Sequence, residues 1–429
     1  MLRKVLVTAL TVVVTLIAGV QNVRLFAPSP LEQRAEDVVA GALPRLGFLR
    51  DALAGGAAEE AQASFPEGYF FLYELYGLAW VNVGMKAPQH KARALSEARW
   101  ALSHLDSEAG RAPFSAQLKP AYGVFYTGWT SWLRGGIVKL DGGPDAPERV
   151  KLAADSAALA EALAASPTPF LEAYPGQAWP VDSVVAVAGL SMVTQLGIAD
   201  YGAITGRWLA ATDERRDKET GLLPHRADAA TGKGLDGPRA TSQVMLLRFL
   251  TEIDQARAVR DWPVFRERFR STVPGAPGLR EYPRGADGDG DVDSGPLILG
   301  LSASASAVGL GTAVIFGDRE VASELAGLAA VTGFFVHDRY MAGLVPIGDA
   351  FMVWSLTSMP WVTGGGKSET RDDGGWRLPW QLGTALIVLP LWFWTWRVWT
   401  VRRPRTPSGE VPLDDVSTVD GSEAVVHRS

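Results

Sequence analysis

An all-α fold of helical hairpins, with an apolar helix at each end of the chain, is predicted by three observations. Long stretches are rich in Ala and Leu with apolar residues at helical spacing, and no run alternates apolar and polar residues with a period of two. Short Gly/Pro turns recur through the middle of the chain at intervals of about 55 to 60 residues.

Helical spacing covers residues 31–53, 68–83, 88–105, 147–165, 182–201, 239–260 and 319–336, and a small-residue stretch at 301–314 continues the pattern. The turns between helices share a form. Asp106, Gly110 and Pro113 are matched by Asp217, Gly221 and Pro224, and more loosely by Asp338, Gly343 and Pro346. Weaker Pro-containing breaks fall near 166–169 and 278–283. The repeat length fits a two-helix hairpin with its loops, so residues 31–360 accommodate about six hairpins. Such units bury their apolar faces only by stacking, and six can close into a ring.

The ends predict membrane attachment. Residues 5–20 (VLVTALTVVVTLIAGV) are uncharged and follow Arg3 and Lys4. At about 16 residues the run is slightly short of the roughly 20 that cross a bilayer, so it reads as a signal peptide or a signal anchor. The segment after it, Ala18 to Asn22, is a poor cleavage site, which favours the anchor. Residues 378–401 combine an aliphatic centre with Trp380, Trp392, Trp394, Trp396 and Trp399, the aromatic enrichment of a membrane interface. Arg402, Arg403 and Arg405 follow, and Arg397 can snorkel. Basic residues outside both segments place both termini in the cytoplasm and the middle outside it, at the cell membrane. The expected organisation is an N-terminal anchor (1–24), an extracytoplasmic domain (25–377), a transmembrane helix (378–401) and a cytoplasmic tail (402–429) whose composition predicts disorder.

Composition excludes several functions. A net charge of -6 offers no basic surface for a phosphate backbone, so nucleic acid is not an expected partner. With no cysteine, disulfides, thiolate metal sites and thiol nucleophiles are ruled out. The chain has no phosphate-binding loop, dinucleotide fingerprint, zinc-protease motif or nucleophile elbow, and no cofactor is expected. Acid/base chemistry on an uncharged substrate is the enzymatic option that remains.

Three segments carry the candidate residues. Tyr174, Gln177, Trp179 and Asp182 precede or open an apolar helix. Asp182 could be an N-cap, worth about 1 kcal/mol, or a carboxylic acid framed by aromatic rings, with a raised pKa suited to general acid catalysis. Arg239, just before a helix, could clamp a ligand or pair with a carboxylate. The run Asp287, Asp289, Asp291, Asp293 invites a calcium reading. It fails the EF-hand pattern because Val292 and Ile298 occupy the positions that need Gly and Glu. Asp293 and Ser294 instead precede a small-residue helix, at whose N-terminus Asp293 would face a cavity. His225, with Arg226 and Asp228 nearby, could shuttle a proton or simply be solvated. Glu67 and Tyr69 are further candidates, and Trp129 and Trp132 are placed on loops or helix starts.

The turn pattern resembles that of six-hairpin, (α/α)6-toroid proteins, a superfamily that includes many glycosidases. Within it, segments 174–182, 237–242 and 291–296 resemble those of linalool dehydratase-isomerase-type domain proteins. The resemblance implies a toroid and a site built from these three segments, acting on a terpenoid-like alcohol. Cysteines have been placed in the active site of that family; here Val181 precedes Asp182, so the resemblance implies the fold more than the reaction. Two functions follow as expectations. One is a membrane-anchored hydrolase or hydro-lyase/isomerase using Asp182 and Asp293, with His225 as a proton shuttle. Tyr174, Gln177, Trp179, Arg239, Ser294 and Tyr69 would bind the glycan or small-molecule ligand. The other is a non-catalytic binding or scaffolding domain of the cell envelope.

Overall fold

The computed structural model describes residues 1–333, 339–366, 368 and 370–400. The tail, the arginines after 401, Asp338 and the end of the helix expected to reach residue 336 lie outside the described residues. The chain is mostly helical. Its helices are α1 (Leu2–Arg24), α2 (Ala35–Ala54), the short α3 (Ala57–Ser64), α4 (Gly68–Lys86), α5 (Lys91–Leu105), the single-turn α6 (Glu108–Arg111), α7 (Gly123–Asp141) and α8 (Glu148–Ala165). There follow α9 (Pro180–Gln195), α10 (Gly202–Asp213), α11 (Ala240–Leu250), α12 (Gln255–Phe269), α13 (Ala303–Phe316), α14 (Arg319–Thr332), α15 (Pro346–Leu356) and α16 (Arg377–Thr400). Two strands of two residues, β1 (Leu279–Arg280) and β2 (Leu301–Ser302), pair antiparallel.

Residues 17–385 form one compact unit. Within it α4, α7, α9, α11, α13 and α15 contact one another in chain order, and α15 packs back against α4, so the contacts close a circuit. These six are buried on almost every face. The alternating helices α2, α5, α8, α10, α12 and α14 bury one face against the circuit and turn the other to solvent. That division follows from sequence: a helix apolar all round must be enclosed, whereas a striped one covers it.

The middle of the circuit is filled. Trp129 of α7 packs edge-on against Phe71 of α4 (5.7 Å), Phe249 of α11 (5.1 Å) and Trp354 of α15 (6.1 Å). Trp129 and Trp132 therefore lie inside α7, buried, and not on loops as expected. The segment after α15 closes one end: Trp361 stacks on Trp132 at 4.9 Å and donates its indole N–H to the Asn82 side chain at 2.8 Å. The amides of Trp361, Val362 and Thr363 all donate to the Glu252 carboxylate. A Cβ on Gly136 would lie 2.4 Å from the Trp361 ring. Gly136→Ala is expected to destabilise the chain by about 1–3 kcal/mol despite Ala's better helix propensity, measured as a lowered thermal midpoint.

Several elements differ from expectation, among them the helix expected over 182–201, which ends at Gln195 and is followed by a further helix, α10. Residues 239–260 are two helices, broken at 251–254, where Asp254 caps α12 through the amide of Arg257. The helices α7 and α15 were not expected, because burial on all sides leaves them no amphipathic stripe and α7 is rich in Gly, Thr and Trp.

Residues 1–16 and 386–400 belong to a separate unit. There Thr8 and Thr15 accept the indole N–H groups of Trp399 and Trp392, each at 3.0 Å, and the Thr11 and Thr395 hydroxyls are 2.7 Å apart. Leu6, Leu10, Leu16, Leu386, Leu389 and Trp396 point outward. Among the described residues α1 is the one helix both long and apolar enough to cross a membrane. In α16 the glutamine, threonines, prolines and tryptophans dilute the apolar content, so composition alone does not make it a second span.

Candidate functional site

The end of the circuit opposite Trp361 gathers the N-termini of inner helices. Glu67 immediately precedes α4, Trp179 precedes α9, and Arg239 precedes α11. Neighbouring starts are tied by backbone bonds: the amide of Val124 in α7 donates to Glu172 at 2.9 Å, and that of Ala240 in α11 to Glu281 at 2.8 Å.

Asp182 is not an N-cap. It is the third residue of α9, behind Pro180, and its helix has no side-chain cap. Its carboxyl is buried, and burial raises it well above the ordinary carboxylate range, with the charges of Glu67 and Asp293 pushing the same way. A helix N-terminus favours the anion by about 0.3–1 kcal/mol at exposed sites; here desolvation outweighs it. Tyr174 donates its hydroxyl to Glu67, stacks on Phe114 at 5.8 Å and meets Trp179 edge-on at 6.0 Å. Burial raises the Tyr174 hydroxyl, and Glu67, Asp182 and Asp293 add to the effect. Glu67, Tyr174, Asp182 and Asp293 thus share one neighbourhood.

Asp293 lies on the solvent-facing rim, with protein packed around it. Desolvation, then Asp291 and Glu67, push it up to about 6 against the pull of Arg239. It does not open a helix as expected, since α13 begins ten residues later at Ala303, capped by Ser302. The loop carrying it is instead fixed between β1 and β2 and by Arg239. That guanidinium donates to Glu281 at 2.8 Å and Asp291 at 2.5 Å, and lies 5.3 Å from the Tyr282 ring centre. Two carboxylates therefore pair with Arg239, and its Nη2 is buried without a hydrogen-bond partner. Although partial burial opposes it, Arg239 and the amide of Ser294 bring Asp291 down to about 2. Among the described residues no group of three acidic or histidine side chains is arranged to hold a metal ion.

The other candidates have structural partners. Ser294 is buried; its hydroxyl accepts the Asp291 amide and donates to the Gly295 carbonyl, which locks the loop. Gln177 is exposed and its amide closes the turn to Tyr174 at 2.9 Å, so it shapes the segment through its backbone. Tyr69 points to α5, 3.2 Å from Nδ1 of His104, away from the carboxylates. His225 is not paired with Arg226 or Asp228: Arg226 pairs with Asp236 and Asp228 caps the Thr231 turn. Its Nδ1 lies 2.5 Å from the Ser242 hydroxyl, and desolvation, aided by Arg239, lowers the imidazole to about 4. His225 is expected to stay neutral across pH 5–8, with ring proton shifts in NMR spectra that do not move over that range.

Sequence reasoning missed Glu281, Tyr282 and Ser242 as site-building groups. The signal was present for Glu281: a lone acid between Leu279 and Pro283, a position that demands a cationic partner when buried.

Compared with known proteins, the chain matches no family model, and no curated protein matches it significantly.

Proposed function

We propose that the chain is a membrane-anchored (α/α)6 toroid whose main domain is held outside the cytoplasm and performs acid/base chemistry on an uncharged, hydroxyl-bearing ligand, a glycan or a terpenoid-like alcohol. The observation that carries the chemistry is the shared neighbourhood of Asp182 and Asp293, two carboxyls from distant segments that differ in exposure, both of which raise Tyr174 while Asp293 also raises Asp182. Asp182, buried and raised well above the ordinary carboxylate range, donates a proton to the leaving oxygen. Asp293, near 6, is mostly ionised at pH 7 and activates water or takes a proton. Tyr174 and Glu67 fix the space between them, and Trp179 supplies an apolar wall. Arg239, already neutralised, gives the site no spare cation, which favours an uncharged ligand.

The toroid reading is supported by the closed circuit of six enclosed helices with six alternating covering helices. The anchor reading is supported by α1 and by the Thr-to-Trp bonds to α16, which turn polar groups inward and leave apolar side chains outside, as helices packed in lipid do. On this reading α16 is the second span and both termini are cytoplasmic.

The test is turnover of a panel of glycans and allylic alcohols by the full chain in detergent, alongside Asp293→Asn. Turnover that Asp293→Asn lowers about a hundredfold or more supports the reading. An Asp293→Asn variant as active as the parent removes Asp293 from the mechanism.

A further inference from the structure

Polar residues of α1 and α16 meet in one seam. Thr8, Thr11 and Thr15 are three and four residues apart and so share one stripe of α1, as Trp392, Thr395 and Trp399 share one stripe of α16. The pairs run in opposite directions along the two helices: Thr8 with Trp399, Thr11 with Thr395 and Thr15 with Trp392. Thr11 is fully buried and Thr395 is 5% exposed, whereas Leu10 and Leu386 are 51% and 75% exposed. Hydroxyls inside and leucines outside invert the pattern of helices that pack in water. Within residues 17–385, Asn22 of α1 also donates to the Thr384 hydroxyl of α16 at 2.9 Å. The two helices differ in what each would be alone. Among the described residues α1 is the one helix long and apolar enough to cross a membrane, while α16 is diluted by Gln381, Thr384, Thr395 and five tryptophans. Trp392 lies about 12 Å along the helix from its end at Thr400, so without Thr15 its indole N–H would face hydrocarbon unpaired.

We propose that α16 is a dependent span: it enters the bilayer only against an inserted α1, whose threonine stripe is the partner that its own polar stripe fits. The proposal rests on the reading of α1 as a membrane span. The order of the chain suits it, because α1 comes first and is apolar enough to insert alone. The polar groups that dilute α16 are in large part those that α1 satisfies. Each interhelical hydrogen bond in lipid shifts an equilibrium about threefold, so the four together shift it on the order of fiftyfold.

The chain has no cysteine, so Ser408→Cys places a single thiol in the tail that follows α16. The test expresses the full chain with this thiol and treats intact cells with a membrane-impermeant maleimide. In the parent the thiol is expected to be protected until the membrane is permeabilised. The seam variant carries Thr8→Val, Thr11→Val, Thr15→Val and Asn22→Leu, which keep α1 apolar and remove the groups it offers to α16. Labelling of intact cells is expected to rise roughly tenfold or more, with the protein still held by α1 against alkaline extraction. A second variant, Trp392→Phe with Trp399→Phe, removes two donors from the other helix and should give a smaller rise of the same sign. It leaves residues 17–385 unsubstituted, so a misfolded main domain would not account for the result. A tail as protected in both variants as in the parent overturns the proposal and leaves the anchor reading standing, with Arg402, Arg403 and Arg405 holding α16 in place without the seam. Labelling of the parent in intact cells would show that α16 does not cross, which overturns the proposal and leaves α1 as the anchor. Release of the parent by alkaline extraction ends the anchor reading and the proposal with it.

Discussion

Asp182→Asn is expected to make the protein more stable at pH 8 and to abolish its turnover. Burial raises the Asp182 carboxyl, so the folded state holds its proton more tightly than the unfolded chain does. The corresponding stability is fully present below the unfolded value of about 3.9 and is lost as pH rises through the raised folded value. Asp293 adds a dependence of the same sign between the unfolded value and about 6. At pH 8 the parent must therefore either ionise a buried carboxyl or hold a proton against the solvent. Asn removes that conflict with a side chain of nearly the same shape, a gain on the order of 1–3 kcal/mol, the typical cost of a buried group left without its partner. The same change removes the donated proton, which for a general acid lowers turnover by roughly 10²–10⁴-fold. Thermal melts from pH 4 to pH 8, with rates on any substrate the parent accepts, read both effects. A variant that melts lower than the parent at pH 8 would show that the carboxylate has a stabilising partner and would sink the assignment of Asp182 as the acid.

Arg239→Met is expected to destabilise the chain by about 3–5 kcal/mol, the cost of breaking a buried ion pair from one side. Glu281 is fully buried, and desolvation already raises its carboxyl against the pull of Thr241 and Arg239. Without Arg239 it has no cation within bonding distance among the described residues, and Asp291 loses the contact that holds the loop. A double variant, Arg239→Met with Glu281→Leu, should recover part of the loss, because neither charge is then left stranded. A second readout separates the electrostatic role from the structural one. Arg239 lowers the Asp293 carboxyl, so its removal should move the acid limb of any pH–rate profile above the value set near 6. Denaturant midpoints and pH profiles test the two effects independently. A loss below about 1 kcal/mol would mean that Glu281 is protonated and unpaired in the parent.

What could be read from the amino-acid sequence was governed by local rules. Ala/Leu-rich segments with helical spacing became α2, α5, α8 and α14, because a striped helix announces its own buried face. The segments holding Asp182, Arg239 and Asp293 were visible as Gly/Pro-bounded turns before enclosed helices, and the apolar α1 was legible from its lack of charge. Other features depended on neighbours remote in the chain. The helix α7 formed despite poor propensity because Trp129 and Trp132 fill the middle of the circuit, an energy no window of sequence contains. Whether Asp182 capped a helix or sat buried depended on Glu67, 115 positions away in the chain by the numbering of the two residues, and on Asp293 beyond it. Arg239 could be a clamp or a strut by type; Glu281 and Asp291 made it a strut. Period, composition and turn chemistry act over a few residues and set the elements, whereas desolvation and charge pairing act between segments, so the chemistry of the site was decided only when tertiary packing brought those segments together.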